Sequence, residues 1–122
     1  MFKRQDSNEL PIETLVSART RIEGDVRFAG GLQLEGQVTG SVRAQEGQVS
    51  RLVLGGQALI EGSVVAEVVE VHGTVRGDIV APGRVVLGPT ARVEGGLQYG
   101  SIEMAAGARI EGKLVKLGTA GA

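Results

Sequence analysis

Aliphatic and polar residues alternate along most of this chain in short runs, and a glycine closes almost every run. In Leu32-Gln-Leu34 and Val69-Glu-Val71 the period is two, the signature of a β-strand with one buried face, and a helical period is excluded. One unit, aliphatic-x-Gly-x-aliphatic, recurs six times: Ile22-Glu-Gly-Asp-Val26, Val38-Thr-Gly-Ser-Val42, Ile60-Glu-Gly-Ser-Val64, Val75-Arg-Gly-Asp-Ile79, Val93-Glu-Gly-Gly-Leu97 and Ile110-Glu-Gly-Lys-Leu114. A further aliphatic precedes each unit, at Val16, Leu34, Leu54, Val71, Leu87 and Met104, so successive copies start 18, 20, 17, 16 and 17 residues apart. A unit that cannot bury its apolar face alone must stack on copies of itself. Strands of ~3 to 5 residues are too short for an ordinary meander but suit the three sides of a coil. The pattern therefore predicts an all-β chain, a three-sided parallel β-helix (solenoid) of about six windings over residues 15–117, with flexible tails at 1–14 and 118–122.

The repeat has two spellings. Leu54-Gly-Gly-Gln-Ala-Leu-Ile60, Leu87-Gly-Pro-Thr-Ala-Arg-Val93 and Met104-Ala-Ala-Gly-Ala-Arg-Ile110 carry a corner two residues longer than Leu34-Glu-Gly-Gln-Val38 and Val71-His-Gly-Thr-Val75. Stacking at the ~4.8 Å spacing of paired strands predicts one interior file of Ile22, Val38, Ile60, Val75, Val93 and Ile110 and a second of Val26, Val42, Val64, Ile79, Leu97 and Leu114. Glu23, Thr39, Glu61, Arg76, Glu94 and Glu111 form an outward file in which Arg76 lies between two carboxylates, with Arg92 and Arg109 placed to offset Glu94 and Glu111. The motif glycine sits at the corner, where a side chain would crowd or the backbone needs positive φ. The polar segment from Ala44 to Arg51 lengthens the second winding and is predicted to bulge as a surface loop.

Composition agrees with a thin aliphatic core: 20 glycines and 17 valines stand against two Phe, one Tyr and no Trp. Thirteen basic and fourteen acidic residues leave a net charge of -1, which gives no field for holding phosphates, so no nucleic acid partner is expected. With no Cys and one His, a disulfide framework is excluded and neither metal nor other cofactor is expected. No run approaches the ~20 apolar residues of a membrane span and no secretory signal is visible, so a cytoplasmic location is the default expectation.

Motifs that suggest chemistry dissolve into the repeat. Gly107 to Lys113 has phosphate-loop spacing, but Leu114 follows where Ser or Thr would hold magnesium, and its glycines belong to the winding. Arg76-Gly77-Asp78 spells an adhesion tripeptide around the repeat's own glycine. His72 has no acidic partner at a telling spacing and replaces Glu35 of the matching winding, which favours a structural role. Glu61, Glu67 and Glu70 lie on solvent-facing positions with nothing to desolvate them. No catalytic residue is assigned, and the chain is not expected to be an enzyme.

A stacked coil leaves two end windings bare unless something caps them. Before Val16 lies a polar, proline-bearing stretch and after Leu117 five small residues, neither of which encodes an amphipathic helix. The end of another copy is the simplest cover, which predicts self-assembly through the terminal windings. At the N-terminus, Met1, Phe2, Lys3 and Arg4 put apolar side chains beside cations, a pattern suited to an anionic membrane surface.

The windings Thr20-Arg-Ile-Glu-Gly-Asp-Val26, Leu34-Glu-Gly-Gln-Val-Thr-Gly-Ser-Val42 and Val71-His-Gly-Thr-Val-Arg-Gly-Asp-Ile79, with the start Met1-Phe2-Lys3, resemble the bactofilins, bacterial polymer-forming cytoskeletal proteins. The resemblance implies a right-handed β-helix that polymerises without nucleotide into non-polar filaments. It also implies scaffolding at the inner membrane in cell shape, wall synthesis, appendage placement or chromosome organisation, with cell-wall or morphogenesis proteins as partners. By position, the polymerisation interface it implies is Val16, Ile22 and Val26 at one end and Met104, Ile110, Leu114 and Leu117 at the other, and the membrane contact is Met1 to Arg4. Some relatives close the domain with Phe where this chain has Leu117. Two other readings compete: a hexapeptide-repeat acyltransferase, which Leu87-Gly-Pro-Thr-Ala-Arg-Val93 resembles but whose strict six-residue sides the uneven windings break, and a capped monomeric adaptor.

Overall fold

The computed structural model describes residues 10–117. They form sixteen short strands and no helix, wound as a three-sided solenoid of six turns. The first three windings comprise β1 (Ile12–Val16), β2 (Arg21–Glu23) and β3 (Val26–Phe28), then β4 (Gly30–Leu34), β5 (Gln37–Thr39) and β6 (Val42–Ala44), then β7 (Ser50–Leu54), β8 (Leu59–Glu61) and β9 (Val64–Val65). The fourth has β10 (Val68–Val71), β11 (Thr74–Arg76) and the start of β12 (Ile79–Leu87), which runs on into the fifth. There it is joined by β13 (Arg92–Glu94) and β14 (Leu97–Met104), which crosses into the sixth with β15 (Arg109–Glu111) and β16 (Leu114–Lys116). All pairings are parallel and join each strand to its equivalents one winding away.

The three core files keep their register along the stack, and the shifts fall outside them, between Ile12 and Thr14 and between Ala81 and Arg84. Ile22, Val38, Ile60, Val75, Val93 and Ile110 pair in sequence along the second side. Val26, Val42, Val64, Ile79, Leu97 and Leu114 do so along the third, and Val16, Leu34, Leu54, Val71, Leu87 and Met104 along the first. These three files converge on a core of fully buried aliphatics. A Cβ added to Gly40, Gly62, Gly77, Gly95 or Gly112 would collide with the carbonyl oxygen of the motif glycine one winding below, so close backbone approach at this corner requires glycine.

The two corner spellings have a packing cause. Long corners close with a turn, Ala58 N donating to Gly55 O at 3.0 Å and Ala91 N to Gly88 O at 3.1 Å. Gly73 of the next short corner seats its backbone on the carbonyls of Gly55 and Ala58, leaving no room for a Cβ. In the other direction the Glu35 carboxylate lies over Gly55 and the His72 ring over Gly88. A protruding side chain thus rests on a glycine of the following winding.

Three expectations need correction. The solenoid begins at Ile12 rather than residue 15, because β1 pairs with β4 from Ile12 opposite Gly31 to Val16 opposite Leu34, and Leu10 O accepts a 3.1 Å hydrogen bond from Arg51 Nη1. The loop of the second winding spans only residues 45–49, since Ser50 is drawn back into the sheet, buried, with its Oγ accepting from Glu67 N at 2.9 Å. His72 does have an acidic partner: residues two apart in a strand share a face, and Glu70 Oε2 lies 2.8 Å from His72 Nε2. Glu70 also faces Arg51 at 3.6 Å, so the histidine belongs to a brace across two windings. Membrane-contact candidates Met1, Phe2, Lys3 and Arg4 and the segment 118–122 lie outside the described residues.

Candidate functional site: the two ends of the solenoid

Along the second side Arg76 Nη1 lies 3.2 Å from Glu61 and its Nε 3.5 Å from Glu94, as the alternating file predicts. Arg92 and Arg109, however, stack on one another, and among the described residues neither forms an ion pair with Glu94 or Glu111. This side is a solvated polar face, with ion pairs of about 0–1 kcal/mol each.

The ends differ from the sides in kind. Leu34, Val38 and Val42 in the second winding are fully buried, while their equivalents Val16, Ile22 and Val26 in the first are only partly covered. At the far end Met104 is 49% exposed and Leu114 48%, although both occupy core files, and Ile110 and Leu117 are half-buried. The six motif aliphatics assigned from sequence to the two ends therefore lie where each file terminates, three at each end. Leu117 follows them, its N–H donating to Tyr99 O at 2.7 Å. Among the described residues no strand pairs with the outer edge of β1, β2 or β3, nor with that of β15 or β16. Each end thus presents apolar side chains ringed by unpaired backbone donors and acceptors, a surface suited to adding another strand layer.

Two residues near the ends lie outside the motif. Phe28 follows Val26 by two positions, where later windings carry Ala44, Ala66, Ala81, Tyr99 and Lys116. Aromatics thus stand near both ends of a file whose middle is alanine, and Phe28 and Tyr99 are partly buried against the core. The signal was available in sequence as the only aromatics within the repeat.

A β-solenoid with two bare, strand-edged ends belongs to the class of repeat folds that extend by stacking. The family described as polymer-forming cytoskeletal, the bactofilins, matches residues 14–115, and the chain belongs to it. Bactofilin BacO of Myxococcus xanthus is 29% identical over 113 residues, covering 93% of this chain and 85% of that protein. Among solved structures, the cryo-EM reconstruction of Thermus thermophilus bactofilin double helical filaments superposes with a TM-score of 0.75 at 31% identity, covering 86% of this chain and all of that one. Membership makes this chain a filament-forming, structural protein that associates with itself.

Proposed function

We propose that this chain polymerises end to end through its terminal windings, without nucleotide, into non-polar filaments that lie on the inner face of the cytoplasmic membrane and scaffold localised processes such as cell-wall synthesis or cell shape. The observation that carries the reading is the contrast along the core files: aliphatics fully buried in the middle and uncovered at both ends, with Val16, Ile22 and Val26 opposed to Met104, Ile110, Leu114 and Leu117. Covering these residues removes apolar area from water at roughly 25 cal/mol per Å² and pairs the open strand edges, so both driving forces act at the same surface. Nothing in that contact calls for a nucleotide. In a non-polar filament a two-fold axis at each junction brings like ends together and pairs the edge strands antiparallel. The start Met1-Phe2-Lys3-Arg4 supplies a weak, multiply repeated membrane attachment once subunits are strung together.

Negative-stain microscopy of the purified protein without nucleotide or metal tests the first part: long filaments are expected, and a monodisperse monomer at high concentration would contradict it. Polarity has its own readout. With the C-terminal end blocked by Leu114→Arg, like-to-like contact leaves dimers in light scattering, whereas head-to-tail contact leaves monomers.

A further inference from the structure

The third side carries another unpartnered surface, at right angles to the ends. Its outward row reads Arg27, Arg43, Val65, Val80, Gln98 and Val115 from the first winding to the last, in continuous register. The row contains no carboxylate, whereas the other two sides mix signs, with Glu61, Arg76 and Glu94 on one and Arg51, Glu70, Arg84 and Glu103 on the other. Arg27 and Arg43 occupy paired positions on adjacent windings, and like charges so opposed repel. Among the described residues neither forms an ion pair, which is also true of Arg92 and Arg109, while Arg21, Arg51, Arg76 and Arg84 all do. The two line a groove of about 590 Å³ whose other walls include Phe28, Val65 and Glu46. At the opposite end of the row Val115 is 46% exposed. It points sideways, so end-to-end stacking leaves it uncovered, and Lys113 stands on the adjoining corner two positions before it. Asp25 and Asp78 stand on the adjoining corner, each with an Oδ1 taken by a backbone N–H one winding on, from Ser41 at 2.9 Å and Gly96 at 2.8 Å.

We propose that this third side is the one that rests on an anionic phospholipid bilayer. Headgroup phosphates fit between Arg27 and Arg43 and beside Lys113, and Val65, Val80 and Val115 meet the boundary between headgroups and acyl chains. The proposal rests on the membrane reading above and names its contact surface. Charge selects the occupant. Two copies paired antiparallel through this row set Arg27 and Arg43 against the other copy's Lys113, and paired parallel they set arginine on arginine. A small soluble anion would use the groove alone and leave the valines in water. A flat anionic surface satisfies the whole row, which spans six windings, roughly 24 Å, and recurs on every subunit of a filament so that weak contacts add.

Flotation of the full chain with vesicles of phosphatidylglycerol and phosphatidylcholine in equal parts, against phosphatidylcholine alone, tests this. Arg27→Glu with Arg43→Glu should lower the fraction floated with anionic vesicles by about ten-fold or more. The same charge change on the second side, Arg92→Glu with Arg109→Glu, should leave it nearly unchanged. Equal losses from both double variants, or no loss from the first, would overturn the proposal. If Phe2→Asp releases the protein and Arg27→Glu with Arg43→Glu does not, the tail alone makes the contact and the membrane reading stands without this surface. A wild-type chain that does not float with anionic vesicles overturns both. Binding to poly-glutamate that depends on Arg27 and Arg43, without flotation, would assign the row to an acidic protein instead.

Discussion

Ile22, Ile60 and Ile110 hold the same place in the same five-residue motif, yet Ile60 is completely buried while Ile22 and Ile110 are not. Gly24 and Gly62 differ likewise: a Cβ on Gly62 would strike the backbone of Gly40, while a Cβ on Gly24 would meet nothing. What separates the middle of this molecule from its ends is therefore the presence of a neighbour and not residue type. In a repeat protein each winding supplies half of the next one's environment, so the terminal windings have the chemistry of a core without its partner. In the proposed reading, self-association follows from that deficit rather than from a dedicated patch.

The largest effect that would break the comparison is at the middle glycine. Gly62→Val forces a branched side chain into the Gly40 carbonyl, at a φ of +158°, and should prevent cooperative folding, seen as loss of the thermal transition by circular dichroism. The equivalent Gly24→Val should keep the transition, lowered by the roughly 1–3 kcal/mol of backbone strain at a φ of +130°. Next in size, Ile60→Ala should cost about 2–5 kcal/mol in denaturant unfolding, and Ile22→Ala, starting from partial exposure, less than half of that in unpolymerised protein. If the two lose equal stability, the ends are not open.

A third test concerns the corners. Gly88→Ala should destabilise by ~1–3 kcal/mol, because its methyl meets the His72 ring, and most of that loss should vanish in a His72→Ala background. Additive losses would show that the ring does not fill the space above Gly88. The smallest effect is expected on the second side, where Arg76→Ala leaves Glu61 and Glu94 without their shared cation and should cost about 0.5–1 kcal/mol, shrinking as salt rises.

The interior files, their order and their register were legible in the sequence because an aliphatic-x-Gly-x-aliphatic unit fixes which residues point inward and the winding length fixes what stacks on them. The corners were not legible to the same degree. Which residue lies above Gly55 or Gly88 depends on how a long turn seats on a short one, and that adjacency crosses windings. The same holds for His72, because a spacing of two from Glu70 means little until the backbone puts both on one face. Ile12 is hidden in the sequence because Pro11 and the charged residues around it mask the period, and its strand is held by β4 alone. As for the candidate site, the end residues are readable as the last members of each file, while Phe28 is not, because it stands two positions beyond the motif.

The most direct measurement compares two neighbours in the last strand. Leu114 and Val115 are 48% and 46% exposed, but the first points out of the end of the core and the second sideways. If bare ends drive assembly, negative-stain images of Leu114→Arg will show no filaments, while Val115→Arg forms filaments as the wild type does. Filaments from Leu114→Arg, or their loss only in Val115→Arg, would place the contact on the side of the solenoid and contradict the account.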